Sequence, residues 1–311
     1  MCLVKSKRKP SPAPAWQRRV EKLSAALRRR VLEHTVRHNG GYLSQACSAA
    51  ETLATLYVKV MRLGPVGSPI VPAAFAGTPG GGRGSFLGHA CHGPRGRALD
   101  RFILSPSQYS LVLYALLIEL GRLAPDALEQ FNRDGSTLEM IGAEHSPGME
   151  VMSGSLGQGL SQAGGIALAR KRKGDPGRTW VFMSDGEFQA GQTWEALQTL
   201  AFYHVDRLGI YVDVNGQQCD GRTETVMNIE PLHERVAAFG GRVFRVNGHA
   251  PAALAAPAAL KPDGRPLVVL ADTDPCRGVE ALRDNAPKLH YLRFKTPDER
   301  ERYRRLLEEG I

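Results

Sequence analysis

WVFMSDGEFQAGQTWEALQTLAFYHVDRLGIYVDVNGQQCDG, residues 180–221, reads as a strand, an Asp-Gly turn, a helix, a second strand and an Asn-Gly turn. The turns place Asp185 and Asn215 thirty positions apart (215 − 185 = 30). In an α/β sheet both turns lie at the carboxyl ends of strands, where such folds bind ligands. A carboxylate and an amide oxygen there suit Mg²⁺, a hard cation that takes one or two protein oxygens and completes its octahedron with waters and ligand phosphates. Together they suggest a Mg²⁺-diphosphate cradle. Read singly, Asp185 also suits a helix N-cap, and Asn215 with Gly216 an ordinary turn.

Working outward, strands and helices alternate. Apolar residues Val20, Leu23, Ala26, Leu27 and Val31 recur at helical spacing over 16–38, and Asn39, Gly40 and Gly41 stop that helix. The same spacing, with Ala49, Leu53, Leu56 and Val60 on one face, predicts a helix over 48–63. Residues 64–98 are a Gly- and Pro-rich loop that includes Gly80, Gly81 and Gly82. RFILS at 101–105 reads as a strand, 108–123 as a helix, 132–150 as irregular and 158–171 as a helix. FGGRVFRVN and RPLVVLADT supply later strands. The expected fold is α/β, a mostly parallel sheet with helices on both faces. One domain over 16–311 follows a disordered basic leader over 1–15, where Pro10, Pro12 and Pro14 interrupt any regular element.

At 311 residues the chain can bury one sizeable core, and 42% hydrophobic with 23% charged residues suits a globular protein. No run of eighteen apolar residues argues for a membrane span, and the N-terminus lacks the apolar segment of a secretory signal. Five scattered cysteines, odd in number and without a CxxC pair, favour a reducing cytoplasm over a disulfide scaffold. Cys91 beside His89 and His92 is read as loop rather than metal cluster. The net charge of +9 comes with no nucleic-acid motif, and suits attraction of sugar phosphates or an acidic partner.

The pattern resembles the thiamine diphosphate fingerprint of transketolases, Gly-Asp-Gly followed about thirty residues later by Asn, with Ser184 in place of the first Gly. GMEVMSGSLGQGLSQAGGIALARK at 148–171 is similar to the transketolase loop and helix at the thiamine pyrimidine. DRFILS at 100–105 and DNAPKLH at 284–290 also have counterparts there. The resemblance implies Mg²⁺ on Asp185, Asn215 and the backbone carbonyl of Gln217. It places the cofactor against Gly154, Ser155, Leu156 and Gly157 on one side and Asp185, Gly186, Glu187 and Asn215 on the other. His290, Gln108 and His145 stand where the family acts on substrate, and His249 is a weaker candidate.

A complete transketolase is about twice this length, so the resemblance implies one subunit of a split enzyme. The glutamate that protonates the aminopyrimidine would then come from a C-terminal subunit carrying the pyrimidine-binding domain, in an α2β2 assembly. Cofactor chemistry of this kind cleaves a ketose and carries a two-carbon fragment.

The departures are informative. Arg37 to Tyr42 replace the early Ser-Gly-His-Pro-Gly run, Ser107 and Gln108 replace Gly-His, and Gly142, Ala143, Glu144 and His145 replace Gly-His-Pro. Ala190 stands where the family often has Glu, Ala250 replaces a carboxylate, and Asp274 to Arg277 replace Lys-Gly-Lys. Glutamine hydrogen-bonds but shuttles no proton at pH 7. The expected function is therefore two-carbon ketol or acyl transfer from a sugar phosphate donor in specialised metabolism, with a carrier-bound acceptor such as an acyl or lipoyl carrier protein. A housekeeping split transketolase and a non-catalytic scaffold are the alternatives.

Overall fold

The computed structural model describes residues 13–75, 77 and 87–310. The expected leader falls almost wholly outside that range, as do Gly80, Gly81 and Gly82. The helices are α1 (Ala15–His38), α2 (Leu43–Thr55), α3 (Ser110–Glu119), α4 (Gln158–Arg172), α5 (Gly191–Phe202), α6 (Thr223–Val226), α7 (Leu232–Ala238), α8 (Pro251–Ala258) and α9 (Pro297–Glu309). The strands are β1 (Arg101–Leu104), β2 (Thr179–Ser184), β3 (Leu208–Val214), β4 (Gln217–Gln218), β5 (Gly221–Arg222), β6 (Arg242–Asn247) and β7 (Leu267–Asp272). Five of them form one parallel sheet in the order β1-β2-β3-β7-β6, and β4 and β5 make a short antiparallel hairpin.

Side chains alternate across this sheet, as strand geometry requires. Phe102, Phe182, Tyr211 and Val269 face a core built with α1, α2, α3 and α8. Ile103, Val181, Val212 and Val268 face a second core under α4, α5 and α7. Helices thus cover both faces, and strands buried on both sides read as the continuous apolar runs seen in the sequence.

α1 ends as its residues dictate: Asn39 adopts the left-handed conformation at φ 57° and its N–H reaches back to Thr35. α2 departs from its expected bounds. It begins at Leu43 and gives way at Leu56 to a π turn ending at Val60, rather than spanning 48–63. Every residue of α2 is buried, so its first turn carries no amphipathic signal; Ser44, Gln45, Ser48 and Glu51 face protein partners instead of water. α7, α8 and α9 lie in stretches to which the sequence reading assigned no helix. α9 starts at a Thr296 side chain that accepts the Glu299 N–H, and packs on the rest through Tyr303.

The amino end of β1, opposite the carboxyl edge, is held by Glu150. Its carboxylate pairs with the Arg101 guanidinium, accepts the Phe102 N–H at 3.2 Å and lies 3.8 Å from His92. Burial pushes this carboxyl up, but His92 and Arg101 outweigh burial and hold its pKa at about 2, below the ordinary 4.5. A depressed folded pKa stabilises above the unfolded value and is lost as pH falls through the folded one, here between pH 4.5 and about 2. Denaturant melts should show Glu150→Gln costing about 3 kcal/mol at pH 7, with the difference from wild type shrinking across that acid window. An unchanged difference at low pH would refute the assignment.

Candidate functional site

Parallel strands deliver their carboxyl ends to one edge, and in-register pairing sets Ser184 beside Asp213. Asp185 and Asn215 therefore leave adjacent strands into neighbouring turns. Asp185 is 1% exposed. Its Oδ1 accepts the Gly186 N–H at 2.8 Å and its Oδ2 the Gly216 N–H at 2.9 Å, so one carboxylate ties the two turns together. Asn215 Oδ1 accepts the Gln217 N–H at 2.9 Å, while its Nδ2 donates to Asp213 Oδ2 at 3.1 Å and Tyr109 Oη at 3.2 Å.

Asp213, fully buried, accepts from Ser48 Oγ at 2.5 Å, Tyr109 Oη at 2.7 Å and Thr273 Oγ1 at 2.5 Å. A carboxylate only accepts, so it draws the amide nitrogen of Asn215 and turns the amide oxygen toward the Gly216 turn.

Burial, and secondarily the Asp213 carboxylate, push the Asp185 pKa up to about 8. Burial raises Asp213 as well. Two buried carboxylates side by side suit an added cation, which would favour their charged forms. Gln217 Oε1 is buried without a hydrogen-bond partner at the same place. A Cβ built on Gly186 would meet only Gln218 Cβ, at 3.8 Å, and would point into open space that a ligand can use. The donor set fits Mg²⁺-diphosphate: one carboxylate, one amide oxygen and backbone groups, leaving coordination positions for phosphate and water.

These turns form one wall of a cleft of about 180 Å³. Gly154 and Leu156 line its other side, and Gln108 and His290 complete it. Gly154 (φ +100°) and Gly157 (φ +85°) need the left-handed conformation that glycine adopts at no steric cost. Leu156 is 44% exposed at the loop tip, Ser155 is exposed beside it, and Gly157 is buried behind as the N-cap of α4. Glu187 lies below the cleft wall, its carboxylate occupied by donors of the chain itself.

Of the three residues placed where the family acts on substrate, His145 is the one that the structure does not bring to the cleft. It pairs with Glu139 at 2.8 Å and packs on Phe75 with ring centroids 4.9 Å apart, because the irregular 132–150 stretch turns it away. His249 has both ring nitrogens engaged, Nδ1 with Glu51 at 2.9 Å and Nε2 accepting the Asp274 N–H at 2.8 Å, a structural tie between α2 and the loop after β6.

The family profile "Transketolase, thiamine diphosphate binding domain" matches residues 49–274. The chain belongs to the transketolase family. An uncharacterised transketolase family protein of Sinorhizobium fredii is 34% identical over 291 residues, covering 91% of this chain and 94% of that protein. The 6-deoxy-6-sulfo-D-fructose transketolase subunit of a Clostridium species is 29% identical, covering 79% of this chain and 82% of that protein. An apulose-4-phosphate transketolase subunit of Actinobacillus succinogenes is also 29% identical, covering 88% of this chain and 90% of its own length. Among solved structures, Campylobacter jejuni transketolase superposes with a TM-score of 0.71 at 19% identity, over 94% of this chain and 46% of that one. The Leishmania mexicana enzyme gives 0.67 at 22%, over 93% and 44%. Those two likenesses show the fold, and the chain spans less than half of the solved transketolases' length.

In this transketolase-family chain several cleft residues escape sequence reasoning. Gln45 lines the cleft, its Nε2 donating to the His290 carbonyl at 3.1 Å and lying 3.5 Å from His290 Nδ1. Its signal was the polar trio Ser44, Gln45 and Ser48 in a helix with no polar face to spare. Asp213, a charge inside the apolar β3 run, was a second signal, since such residues are seldom fully buried without partners. Tyr109, Gln189 and Gln218 also line the cleft, and carried no local signal. Burial lowers the His290 pKa, opposed in part by Asp220, so its imidazole is held neutral near pH 7.

Proposed function

We propose that this chain is the thiamine diphosphate- and Mg²⁺-binding subunit of a two-component transferase that moves a two-carbon ketol or acyl unit from a ketose phosphate. The observation that carries the reading is the Asp185 carboxylate bridging the Gly186 and Gly216 amides beneath an open cleft. Asp185, Asn215 and the Gln217 carbonyl would hold the metal, the Gly186 backbone would face the diphosphate, and Gly154 and Leu156 the pyrimidine. When bound, thiamine diphosphate supplies the carbanion that attacks a ketose carbonyl and the electron sink for the cleaved fragment.

The chain's own groups do the rest. His290, neutral and exposed to the cleft, can accept a proton or a hydrogen bond from a sugar hydroxyl. Gln45 and Gln108 offer donors and acceptors that orient hydroxyls without titrating. A C-terminal subunit carrying the pyrimidine-binding domain completes the site, in an α2β2 assembly within a reducing cytoplasm. The relatives named as transketolase subunits, for 6-deoxy-6-sulfo-D-fructose and apulose-4-phosphate, support both a partner and a specialised ketose donor. The +9 charge supports an acceptor presented by an acidic carrier protein.

Calorimetric titration of thiamine diphosphate with Mg²⁺ tests this, on the chain alone and with the C-terminal subunit. The expected result is Mg²⁺-dependent binding at least about tenfold tighter with the partner, and two-carbon transfer only from the mixture. No Mg²⁺-dependent binding in either setting would make the chain a scaffold. Transfer to free ribose 5-phosphate and to no carrier would remove the carrier from the reading.

A further inference from the structure

The two ligand-facing loops of the cleft belong to different parts of the chain, and a single buried side chain connects them. Glu187 is 0% exposed, two residues past Asp185. One carboxylate oxygen, Oε1, accepts from the Ser105 hydroxyl at the end of β1 and from the Gly157 N–H at 3.1 Å. The other, Oε2, accepts the Ser184 N–H at 3.0 Å. The backbone carbonyl of Glu187 is tied in turn, accepting from Thr193 Oγ1 of α5 at 2.6 Å. Of the three groups that donate to the carboxylate, two are backbone N–H groups that can only donate, and both need an acceptor at this position.

The helix after the loop is seated on the same support. A Cβ on Gly159 would lie 2.2 Å from Ser105 Oγ, so the first turn of α4 rests directly on the end of β1. A carboxylate at the amino end of this fifteen-residue helix also meets its positive dipole end. Neither Glu187 nor Ser105 lines the cleft, whereas Gly186 and Gly154, which sit beside the turns they hold, do.

We infer that Glu187 is a positioning residue: its carboxylate sets the separation between the metal-facing turn at Ser184–Gly186 and the pyrimidine-facing loop at 153–157. The inference rests on the proposed function for what the two loops hold. Thiamine diphosphate spans both loops and senses their spacing, whereas inorganic pyrophosphate with Mg²⁺ engages the metal-facing turn alone. Glutamine at 187 has one carbonyl oxygen and an NH₂, so it must aim a donor at one of the buried donors and release it.

The test has two arms on the full chain. In hydrogen exchange on the chain alone, Glu187→Gln should speed exchange through 154–160 while β3 keeps its wild-type protection. Uniform acceleration, or none, would overturn the inference. In calorimetry with the C-terminal subunit present, the variant should bind Mg²⁺-thiamine diphosphate roughly tenfold more weakly and Mg²⁺-pyrophosphate within about twofold of wild type. Ser105→Ala, which removes one donor and is the milder change, should repeat the pattern at about threefold. Equal loss of both probes would make Glu187 part of the metal turn only and overturn the inference. Failure of wild type to bind either probe would instead overturn the proposed function, leaving the exchange arm to judge the link between the loops.

Discussion

Asp185→Asn should weaken Mg²⁺-dependent binding of thiamine diphosphate by at least roughly 100-fold and abolish transferase activity, yet leave the metal-free chain as stable as wild type or more so. Loss of a hydrogen-bonding partner behind a metal ligand commonly costs 10- to 100-fold in affinity or activity, and loss of the ligand's charge costs more. The stability side follows from the site's electrostatics. Asp185 is buried beside Asp213 and its pKa is pushed up to about 8, so its charge is a burden until a cation arrives. An amide of the same shape can keep an oxygen for the Gly186 or Gly216 N–H and carries no charge to bury. Thermal melts with and without Mg²⁺ and cofactor read both halves. Wild-type cofactor affinity in the variant would remove Asp185 from the ligand set.

Gly186→Val should lower cofactor affinity by a factor on the order of 100 while shifting stability by no more than about 1 kcal/mol, the scale of propensity differences at an unstrained position. Gly186 lies outside the left-handed region, and a Cβ there meets only Gln218 Cβ at 3.8 Å. The branched side chain would thus cost the fold little and would enter the part of the cleft that faces the diphosphate. Its effect is steric and leaves Asp185 in place. Calorimetry should show the loss for pyrophosphate as well as thiamine diphosphate, in contrast to Glu187→Gln. Intact pyrophosphate binding in the valine variant would mean that the phosphates lie elsewhere.

Much of the architecture was legible because it is local. The apolar runs at 180–183 and 208–212 are continuous since β2 and β3 are buried on both faces, and helical spacing over 16–38 predicted α1 almost to the residue. α2 was misplaced for the converse reason: a helix buried all round has no polar face, and its polar residues are spent on partners far along the chain. The bond from Ser44 Oγ to the Leu289 carbonyl spans 245 positions, which no window of sequence contains.

The site divides in the same way. Asp185, Gly186, Asn215 and Gly216 were readable as turn residues because a turn at the end of an apolar run is a local event, whereas Gly154 and Gly157 came through the resemblance of their loop, and only the structure gives the positive φ that favours glycine there. The sequence by itself therefore determined the strands and the turns that end them. Tertiary structure alone decided that Ser48, Tyr109 and Thr273 converge on Asp213, that Glu187 joins Ser105 to Gly157, that Gln45 reaches His290, and that His145 turns away. The bonds to Asp213 from Tyr109 and Ser48 close over 104 and 165 positions, and that from Ser105 to Glu187 over 82. The bonds from Tyr109 and Ser105 need the strand order and register that bring β1, β2 and β3 to a common edge, and the bond from Ser48 needs α2 packed against β3. Local propensity is blind to that placement, which is set by the burial of two cores on opposite faces of one sheet.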